Sequence, residues 1–210
     1  MKHVGRFLLF LFAFAIGITS MRYLDFEIKD FLLDKEELVQ SNIYLFFFYL
    51  HIIPGIVALM VGPFQFVPYI RKKFIKAHRT LGKVYVSVSM LAGIAGFIIA
   101  YFAEGGWIAS LGFMGMATTW LYCTAKAWTS IRQKDIPAHQ AWMIRSYAVT
   151  LAAVTLRLWI PIFLAGFGME FLPSYVIISW LSWVPNIFVA NWIIKRNGIL
   201  KIQELQSEAV

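Results

Sequence analysis

Residues 43–70 run IYLFFFYLHIIPGIVALMVGPFQFVPYI, without one Asp, Glu, Lys or Arg. Hydrocarbon about 30 Å thick is crossed by about 20 helical residues at 1.5 Å each, so a run this long and apolar has lipid as its solvent. Backbone N–H and C=O groups inside lipid must satisfy one another, and a single stretch does so as an α-helix. Working outward, five more segments share this character, near 4–20, 81–102, 107–130, 141–165 and 174–194. The predicted fold is all-α, a bundle of six transmembrane helices forming a single domain over residues 1–210.

Composition agrees with a multi-pass membrane protein. Of 210 residues, 60% are hydrophobic and 14% are charged, against about 25% charged in an ordinary soluble domain, and mean hydropathy is +0.70. No linker, low-complexity tract or repeat interrupts the chain. Cys123 is the one cysteine, which excludes an intramolecular disulfide and a Cys-based metal or iron–sulfur cage. No G-x-S-x-G, P-loop, H-E-x-x-H or G-x-G-x-x-G pattern occurs, which excludes a soluble hydrolase or nucleotide enzyme.

Charge orients the bundle. Of the 19 Lys and Arg, Arg22, Lys29 and Lys35 precede the second span and Arg157 lies inside the fifth, while the others gather at the N-terminus, the second and fourth loops and the tail. The positive-inside rule then places both termini in the cytoplasm of a cell (plasma or inner) membrane. The net charge of +8 reads as topology and not as nucleic-acid binding, with Arg71, Lys72 and Lys73 anchored on anionic lipid headgroups. Residues 1–20 also have the layout of a signal peptide, Lys2, His3 and Arg6 preceding an apolar core, and are read as an uncleaved first helix. Residues 21–42 carry Asp25, Glu27, Asp30, Asp34, Glu36 and Glu37, with Leu24, Ile28, Phe31, Leu32 and Leu38 at helical spacing. That pattern predicts a short amphipathic helix on the outer surface.

Polar groups kept in hydrocarbon at a cost mark where function sits. Here they are His51, Gln65, His78, His139 and Arg157. A helix advances 100° per residue, so positions 18 apart share a face. His139 and Arg157 are so related, with Ser146, Thr150 and Ala153 beside the same line. His78 shares a face with Gly82, Tyr85, Ser89, Ala92 and Gly96, a small-residue face that admits a close neighbour. His51, Gly55, Gly62, Gln65 and Tyr69 align likewise.

Depth sorts these groups into two candidate sites. His51 and Arg157 each lie about 12 Å from the outer ends of their predicted spans, and each adjoins a proline, Pro54 or Pro161, that withholds a backbone donor. They form the outer, ligand-binding candidate, with Gln65. His78 and His139 both begin helices at the cytoplasmic side and form the inner candidate.

The motifs HRTLGKVY at 78–85 and HQAWMIRSYA at 139–148, followed by Ala153 and Thr155-Leu156-Arg157, resemble the signatures of an uncharacterised bacterial membrane family, domain of unknown function 2306, from about Tyr44 to Arg157. That resemblance implies a multi-pass topology and no particular reaction. A weaker similarity is to the six-helix ascorbate- and ferric-reducing cytochromes b, whose pattern of histidines on the second, third and fifth helices His51, His78 and His139 follow. It implies a b-type haem with iron between the imidazoles of His78 and His139, propionates paired with Arg79, Lys83 or Arg145, and transmembrane electron transfer. The fourth span departs from it in having no His, with Met114 or Met116 as the substitutes at hand, and Arg157 is foreign to it. If the protein is an enzyme, this similarity makes it a membrane oxidoreductase. The alternatives are a small-ligand or proton-coupled transporter or sensor built on His51, Gln65 and Arg157, and a non-catalytic accessory membrane protein.

Overall fold

The computed structural model describes residues 2–27, 38 and 40–200. Its main elements there are helical: α1 (Lys2–Ser20) with a 3-10 turn (Met21–Asp25), α2 (Asn42–Val61) with a 3-10 turn (Gly62–Phe66), α3 (Pro68–Lys73), α4 (Ile75–Ala100), α5 (Gly106–Arg132), α6 (Ile136–Thr150), α7 (Ala152–Pro161) with a π turn (Ile162–Gly166), α8 (Phe171–Leu181) and α9 (Val184–Arg196). Among the described residues, five stretches are long and apolar enough to cross a membrane: Val4–Asp25, Asn42–Phe66, Ile75–Ala100, Ile136–Gly166 and Phe171–Arg196. This is an all-α multi-pass membrane protein. The helix expected as the fourth span, α5, is long enough at 27 residues but is not among the five. Lys126, Arg132 and its many Ser and Thr residues dilute its apolar character.

By its packing the chain divides into two compact units, Met1–Phe102 and Ala103–Val210. In the first, α2 runs antiparallel to both α1 and α4 in a register that side chains fix. Phe10 meets Phe64 edge-on at 5.1 Å between ring centroids and Tyr23 meets Phe48 at 5.7 Å, while Gly17 lies against Met60. Between α2 and α4, Tyr44 meets Phe102 and Gln65 faces Gly82. This register gathers Arg6, Arg71, Lys72, Lys73, Lys76, Arg79 and Lys83 at one end of the unit, and Arg22, Asp25 and Glu27 at the other. The latter end is closed by a buried cluster of Tyr23, Tyr44 and Phe48.

In the second unit α5 is antiparallel to α6, with a buried Thr124–Ser146 hydroxyl bond at 2.7 Å, and parallel to α8. The Trp180 indole donates to the Ile108 carbonyl at 3.2 Å, and Gly112 lets Ser179 and Trp180 approach where a Cβ would collide with Ser179 Oγ. Asp135 caps α6 by accepting from the Ala138 N–H at 3.0 Å, a favourable arrangement for an orphan donor. Arg132, Lys134, Arg145, Lys195 and Arg196 collect toward one end of this unit too.

Several boundaries correct the sequence reading. The second span does not run to 70: Val67 is extended, as a residue before proline prefers, and Pro68 starts a separate helix carrying Arg71, Lys72 and Lys73. The basic stretch 71–80 is consequently helical on both sides of a break at Phe74, and His78 sits in the first turn of α4. The fifth helix begins at Ile136, ahead of the expected 141, because Asp135 and Pro137 supply a cap and first turn there. Pro54 lies inside an unbroken α2, so its missing donor does not break the chain at His51. The break in the fifth span falls at Leu151, between α6 and α7. The last span is split at Ser182 and Trp183, before Pro185. The surface helix expected within 21–42 falls, for Ile28, Asp30, Phe31, Leu32, Asp34, Glu36 and Glu37, outside the described residues.

Candidate functional site

The first unit holds His51, Gln65, His78 and Arg79. Nδ1 of His51 is 2.8 Å from the Ala92 carbonyl oxygen. A carbonyl only accepts, so Nδ1 carries the proton and, in the neutral ring, Nε2 is the basic nitrogen. The ring reaches α4 because residue 96 is glycine: a Cβ there would lie 2.7 Å from Nδ1. Gln65, predicted to face into the bundle, is buried, and its Oε1 would be 3.3 Å from a Cβ at Gly82. His78 is half-buried and Arg79 is exposed. His78 precedes Ala92 by about 21 Å along α4, so His51 and His78 lie at different levels of this helix.

The second unit holds His139, Arg145 and Arg157. His139, half-buried in the first turn of α6, places Nδ1 2.9 Å from the Ala127 carbonyl on α5. A ring held by N–H donation to a carbonyl presents its other nitrogen in a fixed direction, the way metal-ligating imidazoles are oriented. Among the described residues no three His, Cys, Asp or Glu gather as a metal site, but haem iron asks the protein only for axial ligands. The guanidinium of Arg145 donates through Nε to Asn191 Oδ1 at 2.8 Å and lies 4.5 Å above the Trp142 ring. Arg157, half-buried, donates through Nη1 to the Ala153 carbonyl of its own helix at 2.9 Å. The rest of the predicted polar stripe is used structurally, since Ser146 bonds Thr124 and Thr150 donates to the Ser146 carbonyl at 3.1 Å.

Sequence reasoning passed over Asn186. Its Nδ2 lies 3.1 Å from the Ala148 carbonyl, 3.2 Å from Thr155 Oγ1 and 3.0 Å from the Ser182 carbonyl. Thr155 also donates to the Ser182 carbonyl. These contacts join the break at Leu151 to the break at Ser182. The signal available was an Asn directly after a proline in an apolar span.

A family model described as "Predicted membrane protein (DUF2306)" matches residues 48–194, well over half of the chain. The chain belongs to this family. The DUF2306 match includes His51, Gln65, His78, His139, Arg145, Arg157 and Asn186. No curated protein and no solved structure matches the chain, so the similarity to cytochromes b rests on its histidine pattern alone.

Proposed function

We propose that this DUF2306 protein crosses the cell membrane six times, with both termini cytoplasmic, and binds a b-type haem for transmembrane electron transfer. Six crossings are supported by the packing of α5. It lies alongside two candidate spans of its own unit, from Gly105 against Val176 to Ala127 against His139, a pairing along its length that supports a sixth crossing. Its buried face carries the small or polar Ala109, Gly112, Ala117, Cys123, Thr124, Ala127 and Ser130 together with Phe113 and Trp120, whereas Trp107, Ile108, Leu111 and Tyr122 point outward. The cytoplasmic assignment rests on the basic end of each unit. Arg71, Lys72 and Lys73 on α3, with Lys73 5.4 Å from the Tyr69 ring centroid, would meet anionic headgroups there.

The observation that supports the haem reading is His139 with Nδ1 on the Ala127 carbonyl, an arrangement that would leave Nε2 as the ligating nitrogen. His78 is the imidazole that the sequence pairs with it. Arg79 and the Nη groups of Arg145 would receive propionates, Nε of Arg145 being committed to Asn191. A haem so held would supply one-electron transfer. The test is the absorption spectrum of the protein purified after expression with ample haem. A low-spin b-type spectrum is expected, abolished by His139→Ala or His78→Ala and largely kept in His51→Ala. A colourless wild type overturns the reading, and loss confined to His51→Ala moves the cofactor to the outer candidate.

A further inference from the structure

We infer that the first unit contains a hydrated column between α2 and α4 that conducts protons. It is independent of haem and lies entirely within residues 2–102. Gly82, Tyr85, Ser89, Ala92 and Gly96 lie on the face of α4 turned to α2: Gln65 Oε1 abuts Gly82, and the His51 ring bonds Ala92 and covers Gly96. From Gly82 to Gly96 the helix rises about 21 Å, against hydrocarbon about 30 Å thick. Polar groups therefore line most of the depth of one unit.

Two of them point to bound water. Gln65 is 5% exposed and Ser89 is 1% exposed, and among the described residues neither Gln65 Nε2 nor Ser89 Oγ has a hydrogen-bond partner. Polar groups left unmet in an apolar surrounding are costly, and native proteins meet them with buried water that makes about three hydrogen bonds. At Gly82 and Gly96 the absent side chains are met by Gln65 Oε1 and by the His51 ring, which seats these polar groups against α4 on either side of Ser89. Ser89 lies about 10 Å from the Gly82 level and about 4.5 Å from the Ala92 level along the axis, gaps that one to a few waters bridge, with Tyr85 between.

Water, hydroxyl and imidazole each donate and accept, so each can pass a proton on, whereas the Gln65 amide orients water without relaying. A proton entering from the basic end is taken by Nε2 of His51 while Nδ1–H stays on the Ala92 carbonyl, and the same Nε2–H is then given to water on the far side, restoring the neutral ring. Tyr23, Tyr44 and Phe48 close the column beyond His51, toward Asp25 and Glu27. That aromatic cluster is the gate.

Full-length protein in phosphatidylethanolamine/phosphatidylglycerol liposomes, with an enclosed pH dye and a potassium–valinomycin potential, tests this without any electron donor. Proton uptake is expected above that of protein-free liposomes, lowered at least tenfold in Ser89→Ala and in His51→Phe and raised severalfold in Phe48→Ala. Ser130→Ala, in the second unit, is the control and keeps wild-type flux. Ser89→Ala removes one oxygen from a packed site, so a folding defect, monitored by thermal unfolding, does not stand in for the effect. The column is refuted if neither wild type nor Phe48→Ala exceeds protein-free liposomes, or if flux is equal in wild type, Ser89→Ala and His51→Phe.

Discussion

Gly96 illustrates how much a single position decides. Helical-face arithmetic placed Gly96 with Gly82 and Ser89 on an inward surface, and packing puts the His51 imidazole on it. What the sequence could not supply was the register between α2 and α4, because an apolar span has no feature that states which neighbour residue it meets. Gly96→Ala would set a Cβ 2.7 Å from Nδ1 of His51, forcing the ring off the Ala92 carbonyl. Overpacking of this kind costs about 1–3 kcal/mol, so a lower unfolding temperature in detergent is expected, and an unchanged one would contradict the tight fit. At Arg157, where the depth argument points to ligand recognition, one guanidinium N–H goes to the Ala153 carbonyl one turn back, a structural use that can be tested separately. Arg157→Lys and Arg157→Gln are both expected to lower the unfolding temperature while leaving the haem spectrum of the purified protein unchanged. Spectral loss in Arg157→Lys with unaltered stability would restore a recognition role.

Among the elements, spans were legible and their interruptions were not. Hydropathy locates an apolar run, but a break depends on local backbone and on who receives the freed groups. Pro54 marked a break that α2 does not make, while the interruption at Leu151 has neither glycine nor proline within the turn before it. At that interruption Thr155 and Asn186 take up carbonyls of both split helices. Interhelical hydrogen bonds in membranes are worth about 0.6 kcal/mol on average and up to about 1.7. Asn186→Leu should therefore destabilise the protein by about 1 kcal/mol in denaturant unfolding, and a stability equal to wild type would show the network to be energetically idle. The short α3 offers a different test. Replacing Arg71, Lys72 and Lys73 together by Gln should reduce the anionic phospholipid that copurifies with the protein, measured by mass spectrometry of extracted lipid. Undiminished phospholipid would argue against headgroup anchoring.

Across the whole chain, the class of fold was plain from composition because lipid leaves only helices as spans. The fourth predicted span was the ambiguous one. Thr124 and Ser130 are buried against its neighbours while Thr118, Lys126, Thr129 and Arg132 are exposed, and all of them lower its apolar character; only the packing of α5 beside α6 and α8 separates the two sets. Whether α5 crosses also decides on which side everything after residue 132 emerges. The direct measurement uses a Cys123→Ser background with a single cysteine at Trp107→Cys or Lys134→Cys, labelled in intact cells and in inverted vesicles with a membrane-impermeant maleimide. Six crossings predict that position 107 labels only from outside the cell and position 134 only from the cytoplasmic face. Labelling of both positions from the same side would contradict them.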